Sequence, residues 1–519
     1  MQAKGGSRSG VLQWVVVLVV GVLVVTVVLG LSLIPRLNDG QKVLDAAKPA
    51  FAPERVAGAR TGINLISTNV DAADPIVTAQ GGAAAEVPKL IAFVSKQTGL
   101  SQAAVVAALQ KNFPHTTALL ETLPLSSVTA ELPGLFTFLE KTLHVTQAQL
   151  VAALKTNFPH LTQAIVNLPT VTNDWNNILV PGATRFDGTP VKTVPELRDY
   201  FGSDLIPVLE NQESNFQSLD GTSSVNWVAP LLLIVGLVVI LFAVLMIALN
   251  ARGRVSRGLA TAGASVVLVV GVGVVALVLV LSLVPRVANG QKLLDGLRPV
   301  NAANRVHDDR AEINLVSTIV DTEDPIMTAQ GGAAAEVPKL IAFVSKQTGL
   351  SQAAVVAALQ KNFPHTTALL EALPLSSVSA EFPSLFAFLE KTLHVTQAQL
   401  VAALKTNFPH LTQAIVNLPT VTGGWNNIPK IAGATRFDGT PIKSVPDVRT
   451  YFGSDVIPVL ENQHANYEKL VSTSSINFIG PLVLAVGIIV ILYGLLMLLF
   501  ARRLEPDRVK ATTLSPVVI

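Results

Sequence analysis

The chain is written twice. Residues from about 16 to 249 recur in near register from about 266 to 500, and two stretches repeat without change, 78–121 as 328–371 and 138–172 as 388–422. In each copy an apolar run opens the unit, a more polar segment follows, and a second apolar run closes it. Such a duplication limits domain count and symmetry before any chemistry is considered, because the two copies must adopt matching folds.

Composition says where such a unit can live. Half of the 519 residues are hydrophobic, 14% are charged, and the mean hydropathy of +0.51 suits a membrane protein better than a cytosolic one. The net charge of +2 is too balanced to suggest nucleic acid as a partner. Cysteine is absent, which removes disulfides, thiolate metal sites and cysteine nucleophiles. The Ala/Val/Gly-rich, lysine-poor style points to a bacterial source.

Four runs, 14–35, 227–249, 264–285 and 478–500, are expected to be transmembrane helices. An apolar helix of about 20 residues crosses a hydrocarbon core of about 30 Å. Arg252, Arg254 and Arg257 lie in the short link 250–263, Arg502, Arg503, Arg508 and Lys510 follow the last run, and Lys4 and Arg8 precede the first. The positive-inside rule places residues 1–13, 250–263 and the tail 501–519 in the cytoplasm, and segments 36–226 and 286–477 outside. Arg36, Lys42, Arg286 and Lys292 dissent, since they follow the first and third spans on the outer side. Two spans per copy make the copies parallel rather than inverted repeats. The runs hold almost nothing polar, which argues against an ion or proton pathway. Gly21, Gly30, Gly236 and Gly271 read as points of close helix packing.

Each outer segment contains a second repeat of 45 residues, so the chain carries four such units, near 88–132, 133–170, 338–382 and 383–420. Each reads as three short helices. Pro88 and Pro133 are expected at the start of the first helix, Ser101 and Thr146 as N-caps of the second, and Pro114 and Pro159 at the start of the third. The third helix is expected to end near Leu123-Pro124 or Leu168-Pro169. A unit this short buries little core alone, so two neighbours in one outer segment are expected to pack as a pseudo-symmetric bundle. Residues 63–68 fit either a strand or a helix, and the tail after Arg503 reads as unstructured. The expected fold class is therefore mainly α: four transmembrane helices and two duplicated helical outer domains, with minor β allowed.

Candidate sites are few. His115, His160, His365 and His410 follow Phe-Pro at equivalent places, and His144 and His394 add two more. None has a paired ligand at i+3 or i+4, so a first-turn place in the third helix outweighs metal binding. Asp71 and Asp74, with Asp321 and Asp324, precede prolines and suit turns or caps. Arg185 with Asp187, and Arg436 with Asp438, suit local pairs around a turn. The glycines from Gly271 onward match a dinucleotide fingerprint only formally, inside a span. The apolar residues Phe93, Leu109, Phe113, Phe136, Phe138, Leu154 and Phe158 could line a lipid-sized cavity or fill a core.

No catalytic, cofactor or metal site follows from these residues. The function expected is a non-enzymatic scaffold or binding protein of a bacterial cell envelope, multi-pass in the plasma membrane. Its partners would be the bilayer and a protein or envelope component, and the two halves could pair about a pseudo-two-fold axis. The alternatives are a lipid or hydrophobic-molecule binding protein, with a lipid ligand, and an accessory subunit of an envelope transporter.

Overall fold

The computed structural model describes residues 6–178, 183–220, 226–252, 254–428, 435–471 and 476–503. The tail after Arg503, and with it Arg508 and Lys510, lies outside the described residues, as does Lys4. Among those described, the chain is almost wholly helical and has no strand, only the isolated bridges Thr184 to Pro190 and Thr435 to Pro441. Residues 63–68 are helical, inside Pro53–Val77. The chain forms two compact units, each drawing on both halves of the sequence.

The first unit comprises residues 1–48, 211–298 and 463–519. Four of its helices are long and apolar enough to cross a membrane, with apolar stretches Val11–Gly30, Val228–Ala251, Gly258–Val280 and Ile479–Ala501. Only 22 to 28% of each stretch is buried within the protein, so most of these side chains face outward. A helix that is apolar all round and yet exposed needs an apolar solvent, which a bilayer supplies.

The helices pair within each half, Gly6–Gly30 along Val228–Ala251 and Arg257–Val280 along Ile479–Arg503. Glycine permits the approach. A Cβ on Gly21 would stand 2.9 Å from the Ile240 side chain and 3.2 Å from the Gly236 carbonyl oxygen, and one on Gly271 only 2.8 Å from the Ile491 nitrogen. Gly30 departs from the expectation: a Cβ there would meet nothing within 4 Å, because the residue lies past the contact.

The first and third apolar helices stop earlier than the hydropathy suggests. Ser32 and Ser282 adopt left-handed backbone (φ 50° and 48°), and new helices, Leu33–Ala47 and Leu283–Leu297, start beyond them. For a non-glycine residue this conformation costs about 1 kcal/mol. Leu33 and Leu283, buried just after each break, anchor the new direction.

The second unit comprises residues 49–210 and 299–462. It draws residues from both halves of the sequence into one compact body. Its 45-residue segments each supply three helices: Ala83–Thr98, Gln102–Asn112 and Pro114–Thr122 in the first, Leu125–Leu143, Gln147–Asn157 and Pro159–Asp174 in the next. The C-terminal half matches with Ala333–Thr348, Gln352–Asn362 and Pro364–Ala372, then Leu375–Leu393, Gln397–Asn407 and Pro409–Gly424. Ser101 and Thr146 cap the second helices as expected, Thr146 in a full capping box with Gln149. Pro114 and Pro159 open the third.

The other prolines behave differently. Pro88 and Pro133 lie inside the first helices rather than at their starts, and Pro169 lies inside Pro159–Asp174 without ending it. A proline forfeits one backbone hydrogen bond and crowds the preceding turn. Burial of Val94, Leu132, Leu135 and Val171 along the same helices offsets that cost.

A third helix that begins at proline leaves backbone N–H groups without partners, and Phe113 and Phe158 at the cap position offer no side-chain acceptor. A glutamate from the opposite half supplies it. Glu381 accepts from the His115 and Thr116 nitrogens (3.1 and 2.8 Å) and from the Thr116 hydroxyl (2.8 Å). Glu131 does the same for His365 and Thr366. Glu336 accepts from the His160 and Leu161 nitrogens, and Glu86 from those of His410 and Leu411. Each glutamate stands two residues before the proline of a first helix. Contrary to expectation, then, a segment is capped from the other half and not by its sequence neighbour. The helices preceding the segments cross over too, with Pro53–Val77 along Pro409–Gly424 and Ala303–Met327 along Pro159–Asp174.

The close glycine contact gives a direct test. Gly271→Leu should lower unfolding stability in detergent by about 1–3 kcal/mol through overpacking, whereas Gly30→Leu should leave it unchanged. Equal effects in a denaturing-detergent titration would contradict the packing.

Candidate functional site

Four of the five phenylalanines singled out from the sequence meet phenylalanines of the other half. Phe93 packs edge-on against Phe408, Phe113 against Phe388, Phe138 against Phe363 and Phe158 against Phe343, with ring centroids 5.5 to 5.8 Å apart. This offset, edge-to-face geometry is the favoured one for aromatic pairs. Phe113 and Phe158 are buried, and Phe93, Leu109, Phe136, Phe138 and Leu154 pack against the same core partly buried. The void beside Phe136, Leu154 and Phe158 measures about 30 Å³, far below the roughly 150 Å³ of an apolar cavity that takes up benzene. An acyl chain does not fit there.

The histidines have structural surroundings. His115 and His365 each place Nδ1 2.9 Å from a carbonyl of the other half, that of Glu371 and of Glu121 respectively. The rings of His160 and His410 lie over Gly332 and Gly82, where a Cβ would come within 2.7 Å. His144 and His394 close their helices in left-handed conformation (φ 55° and 54°), the role Gly99 and Gly349 play in the sister segments. Among the described residues no group of three or more His, Cys, Asp or Glu is placed to hold a metal.

The acid and arginine candidates find longer-range partners than expected. Asp74 accepts from the Trp175 indole nitrogen at 2.9 Å and Asp324 from that of Trp425 at 2.8 Å, both tryptophans being fully buried. Asp71 pairs with Arg198 and Asp321 with Arg449. All four aspartates lie within long helices, so they are not turn residues. Arg185 grips Asp204 through Nε and Nη2 (3.1 and 2.7 Å), and Arg436 grips Asp455 likewise. Asp187 accepts from the Thr189 nitrogen at 2.9 Å inside its own turn, and the expected local pair of Arg436 with Asp438 is present at 4.0 Å. Asp204 could not be singled out from the sequence, because only the π-type turn Tyr200–Leu205 carries it round to Arg185.

One polar cluster exists in a single copy. Arg305 lies over the rings of Phe186 and Tyr200, at 5.0 and 5.5 Å. The Tyr200 hydroxyl donates to Asp309 at 2.7 Å. Asp309 and Glu312 are each only 2% exposed, and Asp309 Oδ2 and Glu312 Oε2 have no hydrogen-bond partner. Burial is the main cause that pushes Asp309 up to about 7, with the Tyr200 hydrogen bond and Arg305 opposing it. Burial also takes Glu312 up to about 8, helped by repulsion from Asp309 and Asp308. The equivalent residues of the N-terminal half are Ala59 and Gly62, so Tyr451 faces no such pair. Raised carboxyls mark many catalytic sites, but these are closed off from solvent and substrate.

Room for a ligand lies in the first unit instead. A cavity of about 410 Å³ opens among Leu33–Ala47, Leu283–Leu297 and the ends of the apolar helices. Its walls are mostly aliphatic, and Arg36 and Arg286, at equivalent places in the two halves, both line it. No sequence periodicity announces it, because the same leucine spacing would serve a filled core.

Comparison of the chain with protein-family models, curated proteins and solved structures finds no match.

The buried acids imply a pH effect of definite sign. Unfolded carboxyls titrate near about 4, so between that pH and about 8 the folded chain keeps protons that the unfolded chain releases. The contribution of these acids, and of Glu323, pushed up to about 7 chiefly by burial, is full below about pH 4 and declines as pH rises through their raised values. Glu210 and Glu461, lowered chiefly by their hydrogen bonds to Arg60 and Arg310, act in the opposite sense and at lower pH. Denaturation midpoints between pH 5 and 8 should therefore fall with pH. Asp309→Ala combined with Glu312→Gly should flatten that slope and raise the midpoint at pH 8; an unchanged slope would refute the assignment.

Proposed function

We propose that this chain is a non-enzymatic integral membrane protein of a bacterial cell envelope, a scaffold or binding module. In this reading both termini and the central link are cytoplasmic, and the unit built from residues 49–210 and 299–462 stands outside the membrane. The observation that carries the reading is the filled interior of that unit. Phenylalanines from the two halves occupy it, and its raised pair Asp309 and Glu312 is sealed. Recognition is thereby left to its surface, which is repeated in the two halves: exposed Leu100 and Val166 recur as Leu350 and Val416. A doubled surface suits a partner that is itself paired or repetitive.

The cavity in the first unit favours a second reading, lipid or hydrophobic-molecule binding. The Phe-rich interior, which first suggested such a role, does not support it.

The absence of cysteine makes topology easy to test. In intact cells, Leu100→Cys should react with a membrane-impermeant maleimide, and Arg254→Cys only after permeabilisation; the reverse pattern would overturn the orientation. A photo-crosslinking residue at Leu100 or Val166 should capture a discrete protein or envelope-polymer adduct in living cells. Failure at both positions and at their counterparts Leu350 and Val416 would count against the scaffold.

A further inference from the structure

We propose that the cavity of about 410 Å³ in the first unit binds an anionic amphiphile, with Arg36 and Arg286 holding its phosphate or carboxylate head and the aliphatic walls its chain. This rests on the reading that the four apolar helices cross a membrane, and it deepens the lipid-binding alternative.

The size and lining suit that ligand. An aliphatic cavity of roughly 150 Å³ stays dry and takes up benzene, and small-molecule sites run from about 300 to 1,000 Å³. This one is floored by Leu33, Leu232, Leu283 and Val483 at the ends of the apolar helices, so a chain entering from the bilayer stays in apolar surroundings. Arg36 and Arg286 stand one turn beyond the breaks at Ser32 and Ser282, at the depth expected of a lipid headgroup if the helices span a bilayer.

The charges point the same way. Arg36, Arg286 and Lys48 line the cavity against Asp45 and Asp220, three basic groups to two acidic. The acids are already engaged: Asp220 pairs with Lys48 at 2.9 Å, and Asp45 accepts from Gln41 at 2.7 Å. The Arg36 Nε and Nη1, by contrast, are buried without a hydrogen-bond partner. A guanidinium in an apolar recess gains most from a planar or tetrahedral oxyanion that two of its N–H groups can reach together. Basic pockets between membrane helices recognise anionic lipid heads by this chemistry. It also explains why arginines stand on the side of the membrane where the positive-inside rule disfavours them.

The test uses the full chain, purified in mild detergent, stripped of lipid, and reconstituted with phosphatidylcholine alone, with phosphatidylcholine and phosphatidylglycerol in equal parts, or with phosphatidylcholine and oleate. Native mass spectrometry then counts what is retained. Retained phosphatidylglycerol identifies a membrane phospholipid, and oleate retained without it identifies a single-chain cargo; both support the site. Arg36→Gln with Arg286→Gln should lower retention about tenfold or more. Leu232→Trp, which fills the floor and leaves the charges alone, should lower it as well. Retention of phosphatidylcholine to the same extent, no retention at all, or full retention by the folded double variant would overturn the proposal. Recovery of the chain without detergent would overturn the membrane reading separately, and the oleate arm would still decide the ligand.

Discussion

The architecture of the unit built from residues 49–210 and 299–462 depends on a carboxylate that crosses from one half of the chain to the other. Four short helices begin at Phe-Pro, which sets the first helical φ but supplies no acceptor for the next N–H groups. Glu86, Glu131, Glu336 and Glu381 each supply that acceptor in trans, and their charge also complements the helix dipole. Because every glutamate sits on a first helix and every acceptor-poor terminus on a third, the four contacts fix which segments are neighbours. The four edge-on phenylalanine pairs follow the same pairing. The halves are therefore interlocked, and neither has a core of its own.

Near-symmetry makes the departures from it informative. Arg305 donates to the Thr184 and Arg185 carbonyls and Arg55 to those of Thr435 and Arg436, equivalent turns of the opposite half, but only Arg305 faces a tyrosine that donates to a buried aspartate. The N-terminal half keeps Ala59 and Gly62 where the other has Asp309 and Glu312. A buried carboxyl with an unsatisfied oxygen lowers stability unless it stays protonated, so this pair ties the fold to pH through one half of the sequence only. The left-handed serines at positions 32 and 282, by comparison, are retained in both halves. They redirect the chain where it leaves the apolar helices and so shape the cavity that Arg36 and Arg286 line.

Local features were legible in the sequence. The four apolar runs show in their length, and the caps at Ser101 and Thr146 and Pro114 and Pro159 at helix starts depend on spacing within about one turn. Prolines 88, 133 and 169 misled, because packing along a helix outweighs one missing hydrogen bond. Partner choice was not legible, for a physical reason. Phe138 and Phe388 lie in stretches identical between the halves, so a segment meets the same chemistry whether its partner comes from its own half or the other. Only the three-dimensional path of the connections decides between them. The recurrence of Glu two residues before each first-helix proline was visible in all four segments, but its meaning requires knowing which terminus it reaches. The cavity was invisible because apolar spacing does not distinguish a lining from a filling.

The central claim is that the halves exchange these contacts, and double-mutant cycles on the full chain in detergent test it most directly. If the halves interlock, Thr116→Val and Glu381→Ala are coupled by about 1–3 kcal/mol, as a part-buried charge-assisted hydrogen bond requires. Thr116→Val and Glu131→Ala, the pair that would touch if neighbouring segments of one half packed together, are then additive. Coupling of Thr116 to Glu131 and not to Glu381 would contradict the account.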